Sequence, residues 1–135
     1  MLYEKALTVP AGTPETAPAE VDLHLTVGVI TQIGAQFAPG AAWTVSAYIR
    51  QGLHQIWPTN PDGKARGDDS VVASDEYYEL AGEPDLVTLG AYSPNASYDH
   101  EILFRIEVTP QPLAERGSKL DQYLSGIGRL LGIRP

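Results

Sequence analysis

Three histidines, His24, His54 and His100, supply the acid–base chemistry that this sequence can offer near neutral pH. A hydrolytic triad would need one of them beside a nucleophile and an orienting acid, and no Gly-x-Ser-x-Gly elbow accompanies any of the three. Asp99, His100 and Glu101 are all ligand types, but consecutive residues of a strand point to opposite faces, which spoils a three-ligand metal site. The run Asn60-Pro61-Asp62-Gly63-Lys64 starts like a calcium loop and then places Lys64 where a third oxygen belongs. Gly63-Lys64 is followed by Ala65, so a phosphate loop would lack the hydroxyl that holds magnesium. With no cysteine there is no thiol nucleophile, thiolate site or disulfide. The residues therefore predict no catalytic, metal or cofactor-binding site, and a chain that is not an enzyme.

Binding chemistry is the other resource. Trp43, Tyr48, Trp57, Tyr77, Tyr78, Tyr92, Tyr98 and Phe104 lie among the strand patterns, where aromatic side chains ordinarily fill a core. Trp57, directly before Pro58 at a strand end, is the one expected to stand out of the core, with His54 close by in sequence. Arg66-Gly67-Asp68 falls in a turn-rich stretch and is read as a turn, and Asn95-Ala96-Ser97 is a glycosylation acceptor pattern that carries meaning only in a secreted chain.

The elements that must position these residues alternate with period two. In 21–37, Val21, Leu23, Leu25, Val27, Val29, Ile33, Ala35 and Phe37 share one face. Seventeen residues exceed an ordinary strand of about six, so a break is expected near Gly28, carrying the chain from one sheet to another. Further strands are predicted at 43–50, with Trp43, Val45, Ala47 and Ile49 inward, and at 53–57, 70–74, 77–80 and 85–92. In 100–109, Ile102, Phe104, Ile106 and Val108 face inward. Turn signals about every ten residues point to an all-β fold, an antiparallel β-sandwich or jelly-roll-like barrel over 21–109.

The two ends read differently. Residues 1–20 are predicted as an extended N-terminal arm, with a short strand at Leu2, Leu7 and Val9 followed by the polyproline-like stretch of Pro10, Pro14 and Pro18. In 110–135, Leu120, Leu124, Ile127 and Leu131 are spaced four, three and four apart, the stripe of a C-terminal amphipathic helix. Several glycines weaken that helix, so it needs a surface to lie on.

Composition excludes more. The chain carries nine Lys and Arg against 17 Asp and Glu, a net charge of -8, which opposes wrapping nucleic acid. No run of about 18 apolar residues predicts a membrane span, and the first residues do not read as a secretory leader. Eight acids and two bases fall in 60–85, whereas 110–135 holds four bases and two acids, an asymmetry read as solvated surface, with attraction between middle and tail, within or between subunits, as the alternative.

The segments Phe37-Ala38-Pro39-Gly40, Gln55-Ile56-Trp57-Pro58-Thr59-Asn60-Pro61 and Tyr98-Asp99-His100, spread over roughly 27–108, together resemble small accessory virion proteins of tailed phages, of the kind that decorate or cement capsids. The resemblance implies β-sandwich subunits that self-associate, with a trimer favoured, and bind the major capsid protein or another virion protein. It implies a place on the particle surface after synthesis in the host cytoplasm. The ends would supply the attachment, through arm exchange and the Leu120, Leu124, Ile127, Leu131 stripe, with Trp57 and His54 as further contacts. A carbohydrate- or receptor-binding module acting through Trp57 is the alternative.

Overall fold

The computed structural model describes residues 1–80 and 86–110. Eight strands lie among them: β1 (Leu2–Val9), β2 (Ala19–His24), β3 (Gly28–Phe37), β4 (Ser46–Gln51), β5 (His54–Trp57), β6 (Ser70–Leu80), β7 (Leu86–Tyr92) and β8 (His100–Pro110). They form two four-stranded sheets, ordered β1-β8-β3-β6 and β2-β7-β4-β5. Every pairing is antiparallel. Strand 1 pairs with 8, 2 with 7, 3 with 6 and 4 with 5. This is one long four-stage hairpin wrapped into two sheets, the strand order of a jelly roll.

The core lies between the sheets and draws on both. Leu7, Val9, Ile30, Ile33, Phe37, Ile102, Phe104 and Ile106 come from one sheet and Ile49, Ile56, Trp57, Val87 and Leu89 from the other, in a single buried cluster. The expected break in 21–37 falls at 25–27, and the chain crosses there from the second sheet to the first. Gly28 follows because β8 passes so close that a Cβ would overlap the Thr109 carbonyl oxygen.

Three expectations are corrected. Ile30, on the polar face of the sequence pattern, is fully buried because a bulge between Ile30 and Gln32 reverses the phase of β3. The stretch 70–80 is one strand of eleven residues, not two pieces. Trp43 is 65% exposed and lies in the loop before β4, so it is not on an inward face. Within residues 1–20 the short strand at Leu2, Leu7 and Val9 is β1, which pairs with β8 along its whole length and buries Leu7 and Val9. The predicted C-terminal helix lies outside the described residues.

Candidate interaction surface

The wrapped topology sends four connections to one end of the molecule. The end of β1 pairs with the start of β8, the end of β3 with the start of β6, and the start of β4 with the end of β7. The segments 10–18, 38–45, 58–69 and 93–99 therefore meet there. Such loop clusters at the end of a rigid sandwich commonly carry recognition.

Two aspartates knit these loops in pairs. Asp99 Oδ1 accepts the Ala11 N–H at 2.8 Å, and Ser93 ties the same two loops by donating its N–H to Thr13 O and its hydroxyl to Pro10 O. Asp68 Oδ1 accepts the Gly40 and Ala42 N–H groups at 2.9 and 3.1 Å. The Trp43 N–H donates to Gly67 O at 3.2 Å, and Asp69 N–H to Ala38 O at 3.3 Å. Bonds to a carboxylate are about twice as strong as neutral ones, so both loop pairs are held firmly.

That anchoring stabilises an unfavourable backbone. Ala42 and Trp43 have φ of 49° and 65°, consecutive left-handed residues with neither a glycine. Each costs on the order of 1–2 kcal/mol, and a bulky residue there is a true outlier. The outcome is an indole held out in water.

A second surface covers the outer face of the β2-β7-β4-β5 sheet. Tyr48 crosses β7 above Gly90 and donates its hydroxyl to Glu20 Oε2 at 2.8 Å. Arg50 grips the same carboxylate through Nε at 3.0 Å and Nη2 at 3.2 Å. The Arg50 hydrogen bond is the main cause that holds the Glu20 carboxyl below the usual glutamate value, and Glu20 in turn raises the Arg50 pKa. Burial, then the bond to Glu20, pushes the Tyr48 phenol well above its usual value. Lys64 Nζ sits 5.9 Å from the Tyr48 ring centroid and donates to Pro61 O and Gly63 O. Tyr48, Arg50, His54, Gln55 and Lys64 line a shallow hollow of about 390 Å³.

The residues singled out from sequence are dispersed. Trp57, expected to stand exposed, is 3% exposed, and its Nε1–H donates to Ser74 Oγ at 2.9 Å. The cause is a register slip between Ile49 and Arg50, after which both Ile56 and Trp57 enter the core. A sugar-binding role for Trp57 has no exposed ring to act through. His54 is exposed at the start of β5, its ring stacked 6.2 Å from that of Tyr78. His100 is buried at the start of β8, at the loop end, whereas His54 follows the turn at the opposite end, so the fold does not bring the two together. His24 is exposed at the end of β2. Leu120, Leu124, Ile127 and Leu131 lie outside the described residues. Among the described residues no three His, Asp or Glu side chains gather to hold a metal, and no helix is long and apolar enough to cross a membrane. Trp43 was missed because its strand alternation fits the pattern and positive φ has no signature outside Gly, Asn and Asp.

No protein-family model matches the chain, and no curated protein matches it. Among solved structures it is similar to a chain from "The Structure of Tomato Aspermy Virus by X-Ray Crystallography", at 14% identity and a TM-score of 0.42, covering 84% of this chain and 80% of that one. Agreement at that level transfers no role.

Proposed function

We propose that this chain is a non-enzymatic structural protein of a virion, a jelly-roll subunit that self-associates and decorates or cements a phage capsid or tail lattice. The observation that carries this reading is the edge of the first sheet. β6 is eleven residues long and pairs with β3 on one side only, and its outward face presents Val71 and Tyr77, 53% and 74% exposed. A long edge strand is a template for strand addition from another chain. β1 forms the opposite edge of the same sheet.

Two β6 strands meeting about a two-fold axis would bring their Asp75 side chains close together, and like charges in register oppose that pairing. Joining β6 of one copy to β1 of the next avoids this repulsion and continues the sheet. Head-to-tail contacts whose rotation closes form rings, of which a trimer is the smallest beyond a dimer, and those whose rotation does not close form open filaments. The partners on this reading are further copies of the chain and the major capsid protein or another virion protein, with no nucleic acid or membrane. The location is the particle surface after synthesis in the host cytoplasm. The edge geometry and the resemblance of 27–108 to phage accessory proteins support it, and the net charge of -8 agrees with the exclusion of nucleic acid.

The test is sedimentation velocity of the purified chain, together with protein identification in purified particles. A concentration-dependent oligomer and presence in the particle are expected. A strict monomer found in no particle would end the proposal.

A further inference from the structure

Strand direction decides how one copy can continue the first sheet of another. Every pairing in β1-β8-β3-β6 is antiparallel, so β1 and β6, at its two edges, run in opposite directions. A second copy that extends this sheet with its core face on the same side therefore sets its β1 antiparallel to β6.

Phase then limits the register. On β1, Leu7 and Val9 are buried and Tyr3 packs against the core, and Lys5 shares their phase. On β6, Val72 and Tyr78 pack against the core, and Ser74 and Glu76 share theirs, in an alternation that runs unbroken along the strand. A sheet that keeps its faces must pair core-side residues with core-side residues. Setting all eight residues of β1 against the eleven of β6 leaves four alignments, of which two keep that phase. One of these puts Glu4 opposite Asp75 and Lys5 opposite Ser74. The other, shifted by two residues, puts Lys5 opposite Glu76, Tyr3 opposite Tyr78, Val9 opposite Val72 and Glu4 opposite Tyr77.

Charge separates the two. Directly opposed unlike charges stabilise a strand pair and like charges destabilise it. Glu4 is already paired with Arg105 at 3.0 Å on its own sheet, so an Asp75 carboxylate opposite would add repulsion with no new cation. Lys5 is exposed and belongs to neither ion pair found among the described residues. Glu76 accepts the Ser74 hydroxyl with Oε1 at 2.9 Å, which leaves Oε2 to receive an ammonium. Lys5 and Glu76 are each a charge of core-side phase on an edge strand, a feature that ordinarily blocks strand addition. In the second alignment the two blocks cancel.

Given assembly through these edges as proposed above, we infer that β6 of one copy takes β1 of a second copy with Lys5 opposite Glu76, the pair that sets the register of the junction.

The chain has no cysteine, so introduced thiols report this register without competition. Thr8 stands opposite Ala73 in the inferred alignment and Ala6 opposite Ala73 in the other, and all three are exposed. In the wrong alignment each pair becomes a diagonal one about 7–8 Å apart, too far for a disulfide. Sedimentation of the parent first fixes the concentration at which it associates, and oxidation is carried out there. An equimolar mixture of Thr8→Cys and Ala73→Cys should give cross-linked dimers, and a mixture of Ala6→Cys and Ala73→Cys should not. Lys5→Glu and Glu76→Lys should each lower the association constant about tenfold or more. The double variant Lys5→Glu/Glu76→Lys should regain it, which a folding defect in either single variant would not allow. Cross-linking through Ala6 and Ala73, equal cross-linking in the two mixtures, or a double variant as weak as the singles would overturn the register and leave the assembly reading standing. A parent that sediments as a monomer at every concentration would overturn both.

Discussion

The ring of Tyr48 lies across Gly90, in the space that a side chain there would fill, and reaches Glu20 on the far side of β7. In register, Gly90 stands opposite both Tyr48 and Glu20 on neighbouring strands, so the glycine is what lets a phenol on β4 bond a carboxylate on β2. Three strands of the second sheet are thereby linked on their outer face by side chains as well as by backbone. Gly90→Val should force the Tyr48 ring off β7 and destabilise the fold by about 1–3 kcal/mol, read as a lower midpoint in urea with an unchanged slope. An unchanged midpoint would mean that Tyr48 has another resting place.

The same carboxylate predicts a pH dependence. Glu20 is held below its usual value of 4.5, chiefly by Arg50, so the unfolded chain binds its proton more readily than the folded one. Its contribution to stability is present above about pH 4.5 and is lost as pH falls through the lowered value. Tyr48 acts at the other extreme: its raised pKa gives stability that is present below pH 10 and declines as pH climbs above it. Thermal melts should show both limbs. Glu20→Gln should flatten the acid limb, and Tyr48→Phe should remove the alkaline contribution of this group. An acid limb identical in Glu20→Gln would place its origin in other carboxylates.

The positions of the strands along the chain were largely readable from sequence, because each inward-facing set repeats with period two and the turns are marked by Gly, Pro or Asn. The break before Gly28 and the inward faces of β4 and β8 follow from that alternation. What alternation does not encode is a shift of phase. The bulge after Ile30 and the register slip that buries both Ile56 and Trp57 involve no glycine or proline at the slip, so Ile30 and Trp57 were assigned to the wrong environments. Asp75-Glu76 reads as a turn but lies within β6, where Glu76 accepts the Ser74 hydroxyl at 2.9 Å and the edge position leaves its charge solvated. The loop-end surface was invisible because it depends on Asp68 and Asp99 reaching the N–H groups of loops 26–28 and 88 residues away in sequence.

The burial of Trp57 sets a spectroscopic expectation. Its Nε1–H donates to Ser74 Oγ, whose hydroxyl donates in turn to Glu76 Oε1, a chain joining β5 to the edge of the other sheet. Trp57→Ala should cost roughly 3–5 kcal/mol, measured by denaturant unfolding. In the parent, acrylamide should quench an accessible, red-emitting fraction from Trp43 and leave a blue-emitting fraction from Trp57. Trp43→Phe should remove the accessible fraction; a single quenching class in the parent would contradict the two environments.

Asp68 should control the shape of its loop more than the stability of the sandwich. Asp68→Ala removes the acceptor for the Gly40 and Ala42 N–H groups, which lie at an exposed site where water can replace it. The expected loss is about 1 kcal/mol, with a clear increase in hydrogen exchange at Gly40 and Ala42 and in the mobility of the Trp43 indole. Asp68→Asn keeps an amide oxygen as acceptor and should show an intermediate effect. Exchange at Gly40 and Ala42 unchanged in Asp68→Ala would show that the loop holds its left-handed turn by other means.

The edge of the first sheet offers a substitution that separates assembly from folding. Val71 is outward on β6 and more than half exposed, so Val71→Asp removes little packing and should alter the melting temperature by no more than a surface change does, within about 0.5 kcal/mol. If copies join through this edge, the new carboxylate would have to be desolvated beside a neighbour's backbone, and the association constant should fall by about tenfold or more. A charge on an edge strand is also how folded proteins prevent unwanted pairing. Charge placed on the opposite edge, as in Leu2→Asp on β1, should act in the same direction when β6 meets β1 of the next copy, but should leave a two-fold β6 contact intact. Sedimentation of the two single variants and of their equimolar mixture decides between these geometries. In a head-to-tail contact the mixture retains one unaltered pairing, β6 of the Leu2→Asp copy with β1 of the Val71→Asp copy, and should recover dimers that neither variant forms alone.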